Sequence, residues 1–174
     1  YYGLSQAVLK QHFIAQRIPA VHTRAVFRGV YRNGSKLHDI KGLPLKARNY
    51  LRGEFEQNDL TLMRTSSSED GSEKLVLGLQ DGREIETVLI RERGRTTLCV
   101  SSQVGCAQKC CFCATGRMGL VRSLSTAEIV GQIVLAKKFI ANLDVNQQRF
   151  SPITNVVFMG MGEPLDNVCS VVEA

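Results

Sequence analysis

Four cysteines fall within positions 106–113, between a run of β-formers and the start of an apolar-striped helix. Residues 96–101 read as a strand entering this loop. Ser125-Thr126-Ala127-Glu128 reads as a capping box. It opens a helix whose Ile129, Ile133, Ala136 and Ile140 make one apolar stripe. Residues 153–159 read as another strand, ending in Gly160-Met161-Gly162-Glu163-Pro164. Strand, loop, helix and strand make one βαβ unit, which predicts a parallel sheet and a right-handed crossover. A closed α/β barrel needs roughly 200 residues or more. The expected fold class is therefore α/β, the incomplete N-terminal portion of a barrel.

The spacing of the cysteines narrows the chemistry. Three residues separate Cys106 from Cys110 and two separate Cys110 from Cys113, so one short loop can aim three thiolates at a common centre. A [4Fe–4S] cluster has four iron corners, and three protein sulfurs leave one corner without a protein ligand. An open coordination position marks a metal centre that does chemistry. Cys111 leaves the chain in a different direction from Cys110 and reads as a spare thiol. The competing reading is structural zinc, with Cys111 or Cys169 as fourth ligand at an unfamiliar spacing and no histidine nearby. Spacing favours iron–sulfur and leaves zinc open. Clustering of the thiols argues against a disulfide scaffold and for a reducing compartment.

Charge is unevenly placed. Residues 1–52 hold ten bases against the single acid Asp39, whereas the whole chain carries only +6. A basic first third on a mildly acidic body fits a nucleic-acid contact surface attached to an enzyme, or a solvated helical face. Residues 4–17 and 22–31 carry helical spacing, and Pro44 can open a helix over Leu45–Glu54. Ser66-Ser67-Ser68-Glu69-Asp70-Gly71-Ser72 reads as a turn or linker. Asp81-Gly82 between two β-rich runs predicts a hairpin. The expected domains are a basic helical unit over 1–65, a linker and hairpin over 66–93, and the first part of a barrel over 94–174. No run of ~18 apolar residues predicts a membrane span. Tyr1 stands where an initiator methionine would, so an N-terminal segment ahead of it is expected to be missing.

The stretch Cys106-Ala107-Gln108-Lys109-Cys110-Cys111-Phe112-Cys113 resembles the C-x3-C-x-Φ-C motif of the radical S-adenosylmethionine (SAM) superfamily. The flanks resemble one group within it. Thr97-Leu98-Cys99-Val100-Ser101-Ser102-Gln103-Val104-Gly105, Ala114-Thr115-Gly116 and Asn155-Val156-Val157-Phe158-Met159-Gly160-Met161-Gly162-Glu163-Pro164-Leu165 are similar to the RlmN/Cfr adenosine methyltransferases. His22-Thr23-Arg24-Ala25 and Asp70-Gly71-Ser72-Glu73-Lys74 fit that group's helical accessory domain and its junction to the barrel. The resemblance implies a [4Fe–4S] cluster and SAM as cofactors. It also implies methylation of adenine C2 in 23S rRNA and tRNA, with C8 as the regiochemical alternative. Electrons would come from a flavodoxin or ferredoxin. A cytoplasmic or organellar monomer is expected, as in a plastid, with no membrane partner. From a different class, a zinc-stapled nucleic-acid-binding module needs only the cysteines and the basic third.

By the same resemblance Cys106, Cys110 and Cys113 hold the cluster, and Gly162 and Glu163 contact SAM. Glu86 is the proton acceptor and Cys99 the resolving thiol of a methyl-cysteine mechanism. Pattern alone reads Glu86 as a solvent-facing strand residue and Cys99 as a core cysteine. Thr97, Cys99 and Ser101 share one strand face, and a polar face on a barrel strand points to the lumen. The methyl-carrying cysteine of the group is expected beyond Ala174, so residues 1–174 alone are expected not to methylate RNA. Ser123 stands where the group has asparagine.

Overall fold

A computed structural model describes residues 2–32, 34–55, 60–92, 94–147 and 151–174, and the chain divides into two compact units, Tyr1–Asn58 and Asp59–Ala174. The first is helical. Helix α1 (Gln6–Ala15) starts at Ser5, whose hydroxyl oxygen accepts the Val8 amide at 3.2 Å. Helix α2 (His22–Phe27) runs on into a π-helical turn over Arg28–Arg32, a widening that the apolar spacing of 22–31 did not distinguish from α-helix. Helix α3 (Leu45–Glu54) opens behind Pro44 as predicted. Leu9, Phe13, Val26, Val30, Ala47 and Leu51 are fully buried and form the core of this unit. His12 is taken up there, its Nδ1 lying 2.9 Å from the Tyr50 hydroxyl.

The second unit is built on a mixed sheet in the order β1-β2-β3-β4-β7. Its strands are β1 (Thr61–Ser67), β2 (Glu73–Gly78), β3 (Glu84–Glu92), β4 (Arg95–Cys99) and β7 (Asn155–Val157). The first four pair antiparallel, and β4 pairs with β7 in parallel across helix α5 (Thr126–Gln147), which makes the expected βαβ unit. The β2–β3 hairpin turns on Asp81 and Gly82. Gly82 has φ of +78°, and the Asp81 carboxylate accepts the Arg83 amide at 3.1 Å. Strand β1 was not anticipated, and the serines read as linker supply its end and the following turn. Every residue of β1 is exposed, so no apolar alternation announces it.

The loop between β4 and α5 is also more ordered than its sequence indicates. It holds a two-stranded ribbon, β5 (Gln103–Gly105) with β6 (Leu120–Ser123), and between them helix α4 (Ala114–Met118). Leu75, Leu77, Ile85, Leu89, Leu98 and Val100 pack from the sheet onto Ile129, Ala136 and Ile140 of α5. Each large aliphatic side chain buried there contributes roughly 1.5–3 kcal/mol. Alternation along β3 then places Glu86, Val88 and Ile90 on the opposite, half-buried face.

The start of α5 is an electrostatic joint. The Ser125 amide donates to Glu128 at 2.8 Å, and the Glu128 amide donates back to the Ser125 hydroxyl at 3.3 Å, a reciprocal capping box. Arg122 grips both Glu128 oxygens at 2.8 and 2.9 Å and reaches Asp81 at 2.8 Å. Burial pushes the Glu128 carboxyl up, but the Arg122 and Ser125 hydrogen bonds outweigh it and the net shift is downward. A depressed folded-state value means that stabilisation is complete above the ordinary carboxylate range and is lost as pH falls through that value. Glu128→Gln should therefore lower unfolding free energy at pH 7 by roughly 1–2 kcal/mol. In urea titrations the gap between the two proteins should narrow below about pH 5; a gap that widens on acidification contradicts the assignment.

Candidate functional site

The cysteine loop hangs from a narrow neck. Gly105 ends β5 at φ of +77°, and a Cβ there would lie 1.9 Å from the Gly119 carbonyl oxygen. The Cys106 amide donates to that same oxygen at 3.1 Å. Only glycine fits this crossing. Cys106 is buried at the neck, Cys110 and Cys111 are exposed, and Cys113 is half-buried just before α4. The Gly116 amide holds the Cys113 thiol below its usual range, assisted by the Thr115 amide and hydroxyl and opposed by desolvation. Three sulfurs on one loop, with no carboxylate or imidazole among them, have the donor chemistry of an iron–sulfur cluster, and the residues fit that group. Among the described residues no three Cys, His, Asp or Glu side chains are already drawn to one point. Thiols have no attraction for one another, and gathering them is the metal's own work.

The glycine loop after β7 lies against this neck. Its amides turn inward: Gly160 donates to the Val100 carbonyl at 3.1 Å, Met161 to the Ser101 hydroxyl at 2.9 Å, and Glu163 to the Gln103 side-chain oxygen at 3.0 Å. What such a loop can offer a ligand is carbonyl oxygens and a carboxylate, acceptors that suit an ammonium group. One Glu163 carboxylate oxygen also accepts the Leu165 amide at 3.0 Å, which caps the 3-10 turn over Pro164–Asn167. The Gln108 side-chain nitrogen donates to the Asp166 carboxylate at 2.8 Å, so the cysteine loop and the segment after Glu163 are directly bonded. The cysteine loop and the Gly162–Glu163 loop thus follow the carboxyl ends of β4 and β7 and are bonded to each other there through Gln108–Asp166 and Gln103–Glu163.

Cys99 and Glu86 sit on the sheet face away from α5. Cys99 stands opposite Val88 in the β3–β4 register, and Glu86 is two residues from Val88, so both share one face. Burial pushes the Cys99 thiol up, countered in part by a backbone bond from Met159. The Glu86 carboxylate is not a lone solvent group: Lys74 Nζ lies 3.1 Å away. Ser101 joins the parts, its hydroxyl donating to the Glu86 carbonyl at 2.5 Å while accepting from Met161.

Sequence reasoning missed the buried amides that hold this end of the sheet. Gln132 of α5 accepts the Ser101 amide at 2.8 Å and donates to the Ser101 carbonyl at 2.9 Å. Asn167 donates to the Ser102 and Leu124 carbonyls at 2.9 and 2.8 Å. The available signal was a glutamine set inside the apolar stripe between Ile129 and Ile133. No residue pattern marks its two partners.

No protein-family model matches the chain. The chain is 44% identical over 152 residues to the dual-specificity RNA methyltransferase RlmN of Syntrophobacter fumaroxidans, covering 87% of this chain and 42% of that protein. It is 37% identical to the RlmN of Francisella tularensis subsp. novicida and to that of Marinobacter nauticus, over 99% of this chain and 46% of each. A crystal structure of a radical SAM methyltransferase from Sphaerobacter thermophilus superposes with a TM-score of 0.85 at 37% identity, covering 99% of this chain and 50% of that one. The chain spans less than half the length of the curated relatives it matches. Their homology and that superposition identify the fold as a partial radical SAM α/β fold.

Thiol reactivity checks the electrostatics of the site. Alkylation of the native chain, mapped by mass spectrometry, should modify Cys113 at a pH below the usual thiol range. Cys99 should stay unlabelled until the protein is unfolded. Rapid labelling of native Cys99 contradicts its placement.

Proposed function

We propose that this chain, which belongs to the RlmN family of radical SAM methyltransferases, carries the cofactor-binding end and RNA-contacting unit of an enzyme that methylates adenine C2 in 23S rRNA and tRNA. The observation that carries this reading is the bonding of the cysteine loop to the Gly162–Glu163 loop through Gln103 and Gln108. Cys106, Cys110 and Cys113 would hold a [4Fe–4S] cluster, which when loaded supplies the electron that cleaves SAM. Gly162 lets the loop close onto Gln103, its backbone meets SAM, and the loop carbonyls with Glu163 accept hydrogen bonds from the SAM ammonium group.

Glu86 takes the proton from the adenine ring. Lys74 holds its carboxylate in place, and the shared sheet face puts it on the same side as Cys99. Cys99 is the resolving thiol and keeps its proton in the resting protein because burial disfavours the thiolate. Electrons come from a flavodoxin or ferredoxin. Among the described residues no helix is long and apolar enough to cross a membrane.

The basic first unit holds the RNA. Arg24, Arg28 and Lys41 line a cleft of about 690 Å³, and Arg24 also lines a second of about 640 Å³ with Lys10. Neighbouring open clefts that share a cation suit a phosphate backbone, which binds through charge and weakens as salt rises.

Anaerobic reconstitution of the whole protein tests the cofactor reading. Wild-type protein should turn brown, and its cluster spectrum should change when SAM is added. Replacing Cys106, Cys110 and Cys113 together by alanine should abolish both. Colourless protein with stoichiometric zinc refutes the reading in favour of a binding module, and mass spectrometry of modified RNA separates C2 from C8. Arg24→Ala with Arg28→Ala should weaken RNA binding by roughly tenfold and lower the salt slope by about 2, with iron content unchanged. An unaltered salt slope removes RNA from that cleft.

A further inference from the structure

Of the residues that hold the two loops of the proposed cofactor chemistry in relation, Gln103 is the buried one. Gln103 is 1% exposed and starts β5, which runs through Gly105 directly into Cys106. Its side-chain oxygen accepts the amide of Glu163, sixty positions away, at 3.0 Å. Its side-chain nitrogen donates to the Ser123 hydroxyl at 3.3 Å, and its own backbone amide donates to the Met161 carbonyl at 3.2 Å. Gly162 is pressed onto the same side chain. At φ of +99° a Cβ there would lie 2.6 Å from the Gln103 Cβ. A carboxamide suits this place because it offers one acceptor and one donor on a planar, uncharged group where water is excluded.

We propose that Gln103 is a positioning residue: its amide fixes Glu163 relative to the cysteine loop, and so sets the affinity for SAM. The inference rests on the cofactor reading of Gly162 and Glu163 given above. Two substitutions separate geometry from packing. Gln103→Met keeps the volume but leaves the Glu163 amide without its acceptor. Gln103→Glu keeps that acceptor, and the Ser123 hydroxyl can reverse its role from acceptor to donor.

Hydrogen exchange on the native chain, which needs no cofactor, reads the bond directly. In Gln103→Met the Glu163 amide should exchange roughly tenfold faster than in wild type, and in Gln103→Glu within about threefold of it. In the cluster-loaded whole protein the dissociation constant for SAM should rise roughly tenfold in Gln103→Met. Iron content should stay at the wild-type value; melting temperature should fall in both variants, from the orphaned amide in Gln103→Met and from the buried carboxylate in Gln103→Glu, yet Gln103→Glu should restore binding. Wild-type exchange and affinity in Gln103→Met overturn the proposal. So does an affinity that follows melting temperature across the variants, since Gln103 is then a packing residue. Wild-type protein that loads iron–sulfur but shows no spectral response to SAM overturns the cofactor reading itself, and this inference with it, whatever the exchange data show.

Discussion

A chain that leaves a sheet while still buried must find partners for every amide and carbonyl it carries away, because an orphaned one costs about 1–3 kcal/mol. Residues 101–103 meet this constraint at the end of β4. Beyond Cys99 the sheet no longer supplies a ladder, yet Ser101, Ser102 and Gln103 are 0–2% exposed. Gln132 replaces the missing strand by presenting its own amide to both backbone groups of Ser101. Met161 and Asn167 do the same for Ser102. The glycine loop, the cysteine neck, the ribbon and α5 are therefore all fastened to one three-residue segment.

That fastening explains how a reactive site can be carried on loops. Loops move because their backbone bonds are few and solvent-exposed. Here the cysteine loop is closed at its neck by the Gly105–Gly119 crossing, and the glycine loop has three amides committed inward. The cysteine loop is exposed beyond its neck, at Cys110 and Phe112. The thiols of the cysteine loop thus lie beyond its closed neck, while the glycine loop is fixed by its own amides.

Charge is arranged on the same plan. The second unit pairs its charges: Arg122 with Glu128 and Asp81 at the head of α5, Lys74 with Glu86 on the sheet face away from α5. The thiols divide by environment. Cys113 faces amides that favour the thiolate, and Cys99 is buried, which favours the thiol. The thiolate is the more reactive form of a cysteine and the thiol the less reactive one.

By itself the sequence determined the elements whose cause is local. The capping box at Ser125, the hairpin turn at Asp81-Gly82, the helix behind Pro44, the α5 stripe and the parallel pairing of β4 with β7 all follow from short-range propensity and periodicity. Strand β1 escaped because it is exposed on both faces, so nothing in its pattern records the partner strand it pairs with. The β5–β6 ribbon escaped for a related reason: Gln103–Gly105 is three residues long and is a strand only because Leu120–Ser123 lies beside it. The cysteine spacing and the glycine loop were legible as chemistry, but not their mutual distance. Only the tertiary structure decided that Gln103, Gln132 and Asn167 hold them together, because a buried amide's role is fixed by partners up to 65 positions away that no local pattern encodes.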